Sequence, residues 1–224
     1  MTQSILITGA NRGIGLGFVK YYVEAGWQVH AAARSESSEL TAIMEAHDNL
    51  QFHQLDVTDH AQVEALGNEL AAASLDVIVH NAGVYGENQN FGEIDYNSWR
   101  RVIEVNTLSP IKCAETWVGA VRPNGSMVFI SSLVGSIEEA SSDGFIYSTS
   151  KAALNMAVKR LSVVLKDRKV KVLAFHPGSV MTDMNEAGKI NVKESVTGMT
   201  KVIENLSASD SGSFKNWQGK AVAW

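Results

Sequence analysis

The stretch "SILITGANRGIGLGF", Ser4–Phe18, joins a strand pattern to a helix pattern through a glycine-rich turn. Ser4–Thr8 has the apolar, partly β-branched character of a buried strand, and an amphipathic pattern follows the turn. Gly9, Gly13 and Gly15 lie between the two at the spacing G-x-x-x-G-x-G. Glycine accepts a positive φ and lets a ligand approach the backbone closely. A helix that begins at such a turn presents unpaired N–H groups and a partial positive charge, so the stretch predicts a phosphate or pyrophosphate site.

The motif alone has a second interpretation, because glycines between a strand and a helix often only form a tight turn. Its spacing also differs from the G-x-G-x-x-G of the common dinucleotide fingerprint. The rest of the chain supplies the context, since apolar strand runs alternate with helical patterns. The predicted strands are Ser4–Thr8, Gln28–Ala33, Leu50–Leu55, Val77–Asn81, Met127–Ser131, Lys171–His176 and Phe214–Trp217. The predicted helices are Ile14–Ala25, Glu39–Ala46, Asp59–Ala73, Tyr96–Gly119 in one or two pieces, Ser148–Asp167 and Val192–Leu206.

This repeated order predicts an α/β fold: a doubly wound parallel sheet of the Rossmann type, with about seven strands and helices on both faces. No linker-like stretch divides the chain. We therefore expect one dinucleotide-binding domain over residues 1–224. In such a sheet, ligands bind beyond the carboxyl ends of the strands, which is where the glycine turn lies.

Composition excludes several other classes of protein. The 224 residues carry a net charge of −5, and the basic residues are dispersed, so no nucleic-acid partner is expected. The lone cysteine, Cys113, cannot form an internal disulfide and lies among apolar residues. The N-terminus lacks a signal-peptide pattern, and no apolar run approaches the length of a membrane span. We expect a cytoplasmic protein with no membrane partner, and we predict no metal site.

Five motifs together are far more specific than the glycine turn. They are T-G-x-x-x-G-x-G at residues 8–15, "NAG" at 81–83, "FISS" at 129–132, "YSTSK" at 147–151 and "HPGSVMTDM" at 176–184. In this order and at about this spacing, they resemble the short-chain dehydrogenase/reductase family over essentially the whole chain. The motif at 176–184 and the ending "GKAVAW" resemble the branch of C-factor-like and sniffer-like carbonyl reductases.

The end of the second strand indicates which dinucleotide would bind. An NAD-binding protein often carries an acidic residue about 20 residues past the glycine turn, for the ribose 2′-hydroxyl. Here the positions are Ala33 and Arg34. A guanidinium can grip a 2′-phosphate with two charge-assisted hydrogen bonds, and Arg12 could lie on its other side. The residues therefore predict NADP(H), the alternative being two surface arginines without a ligand.

The resemblance implies further cofactor contacts. Asp56 and Val57 would frame the adenine, although a helix-cap or turn role for Asp56 explains that residue as well. The chain would pass over the nicotinamide at Pro177 and Gly178. The remaining contacts are assigned to Asn11 and Ile14 in the glycine turn, to Asn81, Ala82 and Gly83 below the ribose, and to Val180 and Thr182 at the carboxamide.

Tyr147 and Lys151 are four residues apart, so they share one face of a helix. Free tyrosine has a pKa of ~10, and a fixed ammonium nearby lowers that value by favouring the phenolate. We expect Tyr147 to act as general acid in carbonyl reduction and as general base in alcohol oxidation. The resemblance implies that Lys151 also binds the nicotinamide ribose.

Two further catalytic positions follow from the resemblance. Side chains alternate along a strand, so only one of Ser131 and Ser132 faces the site, and the resemblance favours Ser132 as hydrogen-bond donor to the substrate oxygen. Ser132 lies 15 residues before Tyr147, slightly farther than in the family, so Ser131, Ser136, Ser141 and Ser142 stay open as alternatives.

Asn106 matches the family's fourth catalytic residue and would kink its helix and hold a water that links Lys151 to solvent. Alternatively, Asn106 only ends a helix before Pro110. His176 ends a buried strand, and we do not expect it to carry protons.

The expected substrate is a small apolar or aromatic aldehyde or ketone, or the corresponding alcohol. The segments 85–93, 133–145 and 184–190 would form apolar walls beside Tyr147. Apolar residues around much of two helices suit a homodimer or homotetramer, and a monomer stays open. They include Val102, Val105, Leu108, Val118, Leu154, Met156, Val158 and Leu161. The alternative functions are a regulatory protein of the C-factor type that binds the dinucleotide with little catalysis, and another reaction on the same scaffold.

Overall fold

The computed structural model describes residues 2–70, 72, 74–141 and 144–224. Within these residues, seven strands form one parallel sheet in the order β3-β2-β1-β4-β5-β6-β7. The predicted doubly wound parallel sheet is confirmed. The strands are β1 Ser4–Thr8, β2 Gln28–Ala33, β3 Leu50–Gln54, β4 Leu75–His80, β5 Val121–Ile130, β6 Lys171–His176 and β7 Ser213–Asn216.

Helices cover both faces of the sheet, which explains why its strands are almost continuously apolar. Residues of α1, α2 and α7 pack into the core on one face, and residues of α3, α5 and α6 pack into the core on the other. None of the described helices is both long and apolar enough to cross a membrane. The helices are α1 Gly13–Glu24, α2 Ser38–Ala46, α3 His60–Glu69, α4 Tyr96–Ile103, α5 Ser109–Trp117, α6 Phe145–Val164 and α7 Val192–Glu204.

The central strand β1 shows how the alternation of side chains divides the core. Ile5 and Ile7 pack on the face covered by α1, whereas Leu6 packs on the opposite face. All three side chains are fully buried. Burying an aliphatic side chain of this size contributes about 1.5–3 kcal/mol, so β1 is a strong anchor for the glycine turn that follows it.

The predicted helix over residues 96–119 is interrupted. α4 ends at Ile103, a π-helical turn occupies Glu104–Leu108, and α5 then starts at Ser109. The amide of Ser109 bonds to the carbonyl of Glu104, and the Ser109 hydroxyl bonds to the same oxygen. One extra residue is thus inserted in the turn that contains Asn106. The predicted kink stays a prediction.

Other boundaries differ from the predictions for local reasons. β5 begins at Val121 rather than Met127. The sequence pattern predicts a later start because residues Pro123–Gly125 are typical of a turn. α6 begins at Phe145 rather than Ser148. Within the described residues α3 ends at Glu69, and its predicted end at Ala73 lies outside them.

Some of the apolar residues that suggested a subunit interface are buried within the chain itself. Val102, Leu154 and Val158 are buried in the core and offer nothing to a second subunit. Leu108 and Met156 remain exposed. A subunit interface on these helices therefore stays a prediction that rests on fewer residues than the sequence pattern suggested.

A set of hydrogen bonds joins the carboxyl ends of β1 and β4, where the strand order reverses. The hydroxyl of Thr8 accepts from the amides of Asn81 and Ala82, at 3.0 and 3.1 Å. The Asn81 side-chain amide donates to the carbonyls of Thr8 and Gly9, at 3.0 and 3.1 Å. A Cβ at Gly15 would overlap the Gly9 carbonyl and crowd the Asn81 amide. Gly15 is therefore required by packing between the turn, the helix and β4.

We expect Gly15→Ala to lower the free energy of unfolding by about 3 kcal/mol, at the upper end for an overpacked core, because the neighbouring atoms are mainly backbone. Urea unfolding measures this loss. Gly119→Ala is the matched control, since a Cβ there meets open space, and it should change stability by less than about 0.5 kcal/mol. Equal stability of Gly15→Ala and the wild type would contradict this packing.

His80, the last residue of β4, is buried beside two aromatic rings. It stacks between Phe129 and Trp117, with ring centroids 4.4 and 6.1 Å away. Among the described residues, its two ring nitrogens have no hydrogen-bond partner. Burial lowers the pKa of His80 from 6.5 to about 3, so the ring is neutral at pH 7. The histidine thus costs stability that a purely apolar ring would not.

We expect His80→Phe to raise the free energy of unfolding at pH 7 by about 1–3 kcal/mol, because it removes two unpaired buried nitrogens. The wild type should also lose stability as pH falls from about 6.5 to 3. In that window the unfolded chain binds a proton at His80 and the folded chain does not. Urea titrations across pH should show a flatter profile for His80→Phe than for the exposed control His60→Phe. A less stable His80→Phe protein would contradict the assignment.

Candidate active site

A cavity of about 680 Å³ opens beyond the carboxyl ends of the strands. It lies where the order of the strands reverses between β1 and β4, the expected position for a ligand in a doubly wound sheet. Of the residues predicted to bind the cofactor, those that line it are Gly9, Asn11, Arg12, Gly13, Ile14, Arg34, Asp56, Val57, Asn81, Ala82, Gly83, Tyr147, Lys151, Pro177 and Thr182.

The N-terminus of α1 faces this cavity. Gly9 and Gly13 have φ angles of +64° and +53°, values that favour glycine. Arg12 precedes the helix, and its side chain makes no cap. The first amides of α1 are therefore the kind of anion site that a pyrophosphate occupies. This arrangement fits the dinucleotide that the motif predicts.

Arg12 is engaged at the mouth of the cavity. Its guanidinium lies 3.0 Å from the carboxylate of Asp183, and both side chains are largely exposed. Asp183 belongs to the loop that follows β6 and lines the same cavity. Exposed pairs of this kind contribute little to stability, about 0–1 kcal/mol, so a phosphate could replace Asp183 as the partner of Arg12.

Two arginines, Arg34 and Arg101, line the cavity near Asp56. Burial acts to raise the pKa of Asp56, but hydrogen bonds from Thr58 and the charges of Arg34 and Arg101 hold it below its ordinary value. The Asp56 oxygen that accepts the amide and the hydroxyl of Thr58 forms a local turn. The turn role left open for Asp56 is thus present, and the residue also lines the cavity.

Lys151 and Tyr147 lie side by side at the inner end. The Lys151 ammonium is buried and donates to the carbonyl of Ile130 at 2.8 Å. It lies 5.6 Å from the centroid of the Tyr147 ring. A Cβ on Gly83 would come within 3.7 Å of the same ammonium. The two side chains therefore meet in the cavity next to the small-residue segment that ends β4.

The expected lowering of the Tyr147 pKa is wrong for the polypeptide by itself. Burial raises the pKa of Tyr147 to about 12, and nearby Tyr85 adds to this, whereas the Ser132 hydrogen bond opposes it. Burial also lowers the pKa of Lys151 to about 8. The ammonium donates to a carbonyl rather than to the phenol, so the loss of water outweighs its attraction.

The two adjacent serines point in different directions. The Ser131 hydroxyl donates to the Asn155 side chain at 2.6 Å, and both residues are buried. Ser132 instead forms a hydrogen bond with the Tyr147 side chain. Neither of the alternatives Ser136 and Ser141 lines the cavity. The Ser136 hydroxyl donates to the carbonyl of Trp224, and Ser141 is exposed. Ser142 lies outside the described residues.

Asn106 is buried in the π-helical turn and fully engaged by its neighbours. Its carbonyl accepts from the amide of Val84 at 2.9 Å, and its amide donates to the Val84 carbonyl at 2.8 Å. The amide also donates to the Ser150 hydroxyl at 3.1 Å, and that hydroxyl bonds to the carbonyl of Tyr147. Asn106 thus ties the strand end after β4 to the helix that carries Tyr147. The predicted water relay stays a prediction.

The loop after β6 brings only some of its predicted residues to the cavity. Thr182 lies against the glycine turn, since a Cβ on Gly13 would be 3.4 Å from its methyl group. The Val180 amide donates to the carbonyl of Gly178 instead, and neither residue lines the cavity. His176 accepts the amide of Leu133 at 3.1 Å, and burial lowers its pKa to about 4. This contact is structural, in agreement with the low expectation of a catalytic role.

Sequence reasoning missed several lining residues. Arg101, Glu104 and Val105 reach the cavity from α4 and the π-helical turn. They carry no motif of their own, and only the packing of α4 brings them near Asp56. The other missed residues are Ser35, Leu55, Thr58, Val84, Ile130 and Asp183. Ala33, Met184 and the alternative serine Ser131 also line the cavity, whereas the favoured Ser132 does not.

Two curated relatives match most of the chain. The 1-hydroxy-2-glutathionyl-2-methyl-3-butene dehydrogenase of Rhodococcus sp. is 34% identical, covering 99% of this chain and 100% of that protein. C-signal of Myxococcus xanthus is 33% identical and covers 72% of this chain and 100% of that protein. The second of these agrees with the C-factor-like branch predicted from the sequence.

Solved structures give the same result. NADPH-bound carbonyl reductase from chicken fatty liver has a TM-score of 0.88 and 31% identity, covering 100% of this chain and 99% of that chain. Carbonyl reductase Sniffer of D. melanogaster has a TM-score of 0.94 and 26% identity, with full coverage of both chains. The family described as short chain dehydrogenase matches residues 3–194. With its cavity, its glycine turn and its paired tyrosine and lysine, this chain belongs to the short-chain dehydrogenase family of oxidoreductases.

Proposed function

We propose that this protein is an NADPH-dependent carbonyl reductase in which Tyr147 delivers the proton to the substrate oxygen. The observation that carries the proposal is the pairing of Tyr147 with the buried ammonium of Lys151 in the lining of the cavity. Ser132, which is not part of that lining, is hydrogen-bonded to the phenol. A general acid must lie within hydrogen-bond reach of the reacting oxygen and be shielded from bulk water. Tyr147 and Lys151 both line the cavity, so a carbonyl compound bound there would come within reach of the phenol.

NADPH supplies the hydride when bound, and the protein supplies its binding and orientation. The first amides of α1 would hold the pyrophosphate, and Arg34 and Arg12 would hold the 2′-phosphate. Arg34 lines the cavity on the side of Asp56, and Arg12 lines it at the mouth. The carbonyl reductases from chicken liver and from Pseudomonas aeruginosa, crystallised with NADPH and NADP respectively, support the same cofactor here.

The proton chemistry follows from burial. A pKa of about 12 keeps the Tyr147 phenol protonated at neutral pH, so the proton needed for carbonyl reduction is present. The positive charge of Lys151 beside the phenol would favour its loss to the substrate. In the free protein the Ser132 hydroxyl bonds to the phenolic oxygen. With substrate bound, its one proton would turn to the carbonyl oxygen, where negative charge develops. Lys151 would hold the ribose and return a proton to Tyr147 after the reduction. A water beside Asn106 would in turn return that proton to Lys151.

The mouth of the cavity favours an apolar or aromatic carbonyl compound. Met184 lines the cavity and is exposed. The other side chains predicted to form the substrate walls are exposed too, and they are Leu133, Ile137, Phe145 and Phe91. Phe91 and Phe145 lie with ring centroids 5.9 Å apart. Exposed clusters of this kind mark binding surfaces in soluble proteins, and a flat apolar substrate gains most from them.

We expect Tyr147→Phe to lower kcat for reduction at least about a hundredfold, because proton transfer by a positioned side chain contributes about 10²–10⁴-fold. Aromatic aldehydes, diketones and quinones would be tested with NADPH, and cofactor oxidation would be followed by its absorbance. The matched control is Tyr96→Phe, an exposed tyrosine outside the cavity, which should keep the wild-type kcat.

Cofactor binding separates this function from its alternatives. Tyr147→Phe should bind NADPH with the wild-type affinity by fluorescence titration, since the ring and its packing stay. Tight binding of NADPH by the wild type without turnover of any carbonyl would instead favour a regulatory protein. Equal kcat for Tyr147→Phe and the wild type would contradict the proposed proton donor.

We expect Arg34→Asp to lower the preference for NADPH over NADH by roughly tenfold to a hundredfold. A charge-assisted hydrogen bond contributes about 1.5–3 kcal/mol, and a carboxylate repels the 2′-phosphate. The ratio of kcat/KM for the two coenzymes measures the change. Arg168→Asp makes the same change of charge at an exposed residue outside the cavity, and it should leave the ratio unaltered. A wild type that uses NADH as well as NADPH would contradict this assignment.

A further inference from the structure

Gln89 is a buried amide in the segment between β4 and α4, outside every motif of the sequence. It is 8% exposed. Its carbonyl oxygen accepts the backbone amide of Tyr147 at 2.8 Å. Its amide nitrogen donates to the carbonyls of Tyr85 at 3.1 Å and of Gly86 at 3.3 Å. The side chain therefore joins this segment directly to the residue that we propose as proton donor.

The backbone amide of Tyr147, which donates to Gln89, has no hydrogen-bond acceptor within α6. The first N–H groups of a helix have no partner inside it, and a cap side chain usually binds one of them. α6 starts after Gly144, which has a φ of +75° and no side chain to offer. Tyr147 is the third residue of the helix, the position whose amide a cap normally binds. Gln89 takes the place of the missing cap from a distant part of the chain.

Gln89 also holds the aromatic neighbour of Tyr147. The ring of Tyr85 lies 5.0 Å from the ring of Tyr147, at an angle of 38°. The carbonyl of Tyr85 is one of the two that Gln89 binds. The Gln89 side chain thus bonds to the backbone of Tyr147 and to the backbone of its aromatic neighbour Tyr85.

We propose that Gln89 is a positioning residue for the reaction, which holds the Tyr147 side chain at the distance from Ser132 and Lys151 that proton transfer requires. The inference rests on the proposed function of Tyr147. A misplacement of about 1 Å by a residue outside the chemistry can cost about a hundredfold in rate. Gln89 acts through Tyr147 and is not itself among the residues that line the cavity.

Two substitutions separate the contact with Tyr147 from the contacts with the segment. Gln89→Met keeps the length of the side chain and removes both donor and acceptor. Gln89→Glu keeps an oxygen that accepts the Tyr147 amide, a favourable place for a carboxylate at a helix N-terminus. Both substitutions remove the two hydrogen bonds that the Gln89 amide donates to the segment. The difference in kcat between the two variants therefore reports the hydrogen bond to the Tyr147 amide.

We expect Gln89→Met to lower kcat roughly tenfold to a hundredfold. The KM for NADPH and the number of NADPH molecules bound per chain should stay at the wild-type values. Gln89→Glu should keep kcat within about threefold of the wild type. Hydrogen exchange at the Tyr147 amide should be fast in Gln89→Met and protected in the wild type and in Gln89→Glu. A loss of folded protein would instead lower bound NADPH in proportion to kcat.

The control variant is Ser37→Ala, which removes a side-chain cap from α2, where the Ser37 hydroxyl accepts the amide of Leu40 at 3.2 Å. It should cost about 1 kcal/mol of stability and leave kcat unchanged. Wild-type kcat in Gln89→Met, or equal losses in Gln89→Met and Gln89→Glu, would overturn the inference while leaving Tyr147 as proton donor. Wild-type kcat in Tyr147→Phe would overturn both.

Discussion

The hydrogen bonds between Thr8 and Asn81 hold the carboxyl ends of β1 and β4 at the distance on which the rest of the site depends. These two strands are neighbours at the point where the strand order reverses, so their following segments diverge and leave a crevice. Gly9 and Gly15 fill the junction at backbone contact, with no room for a Cβ at either position. The first helix is consequently aimed so that its N-terminal amides face the crevice.

Removal from water determines the protonation of Tyr147 and Lys151 in the cavity. The same loss of water raises the pKa of the Tyr147 phenol and lowers that of the Lys151 ammonium, because each group is pushed toward its neutral form. Between pH 8 and the ordinary value of 10.5 the unfolded chain binds a proton at Lys151 that the folded chain lacks. The stability penalty of burying this lysine is therefore fully present below pH 8 and fades as pH rises. Such a cost is typical of a residue retained for activity rather than for stability.

The sequence predicted those parts of the molecule that short-range patterns determine. Strand β1, the glycine turn and α1 follow from residues adjacent in the chain, and so does the shared face of Tyr147 and Lys151. The alternation of side chains correctly required Ser131 and Ser132 to point in different directions. By contrast, the π-helical turn and the burial of His80 depend on what packs against them, which local propensity does not encode.

The contacts that sequence reasoning missed share one form: a side chain of one segment bonds to the backbone of a distant one. His176 accepts the amide of Leu133, 43 residues away, and so orients the residue after Ser132. Gln89 accepts the amide of Tyr147, 58 residues away. The backbone atom in such a bond is the same in every amino acid, so the bond leaves no pattern in the partner's sequence. A motif can therefore identify the reacting groups, whereas the residues that hold them to the accuracy catalysis needs become visible only in the folded chain.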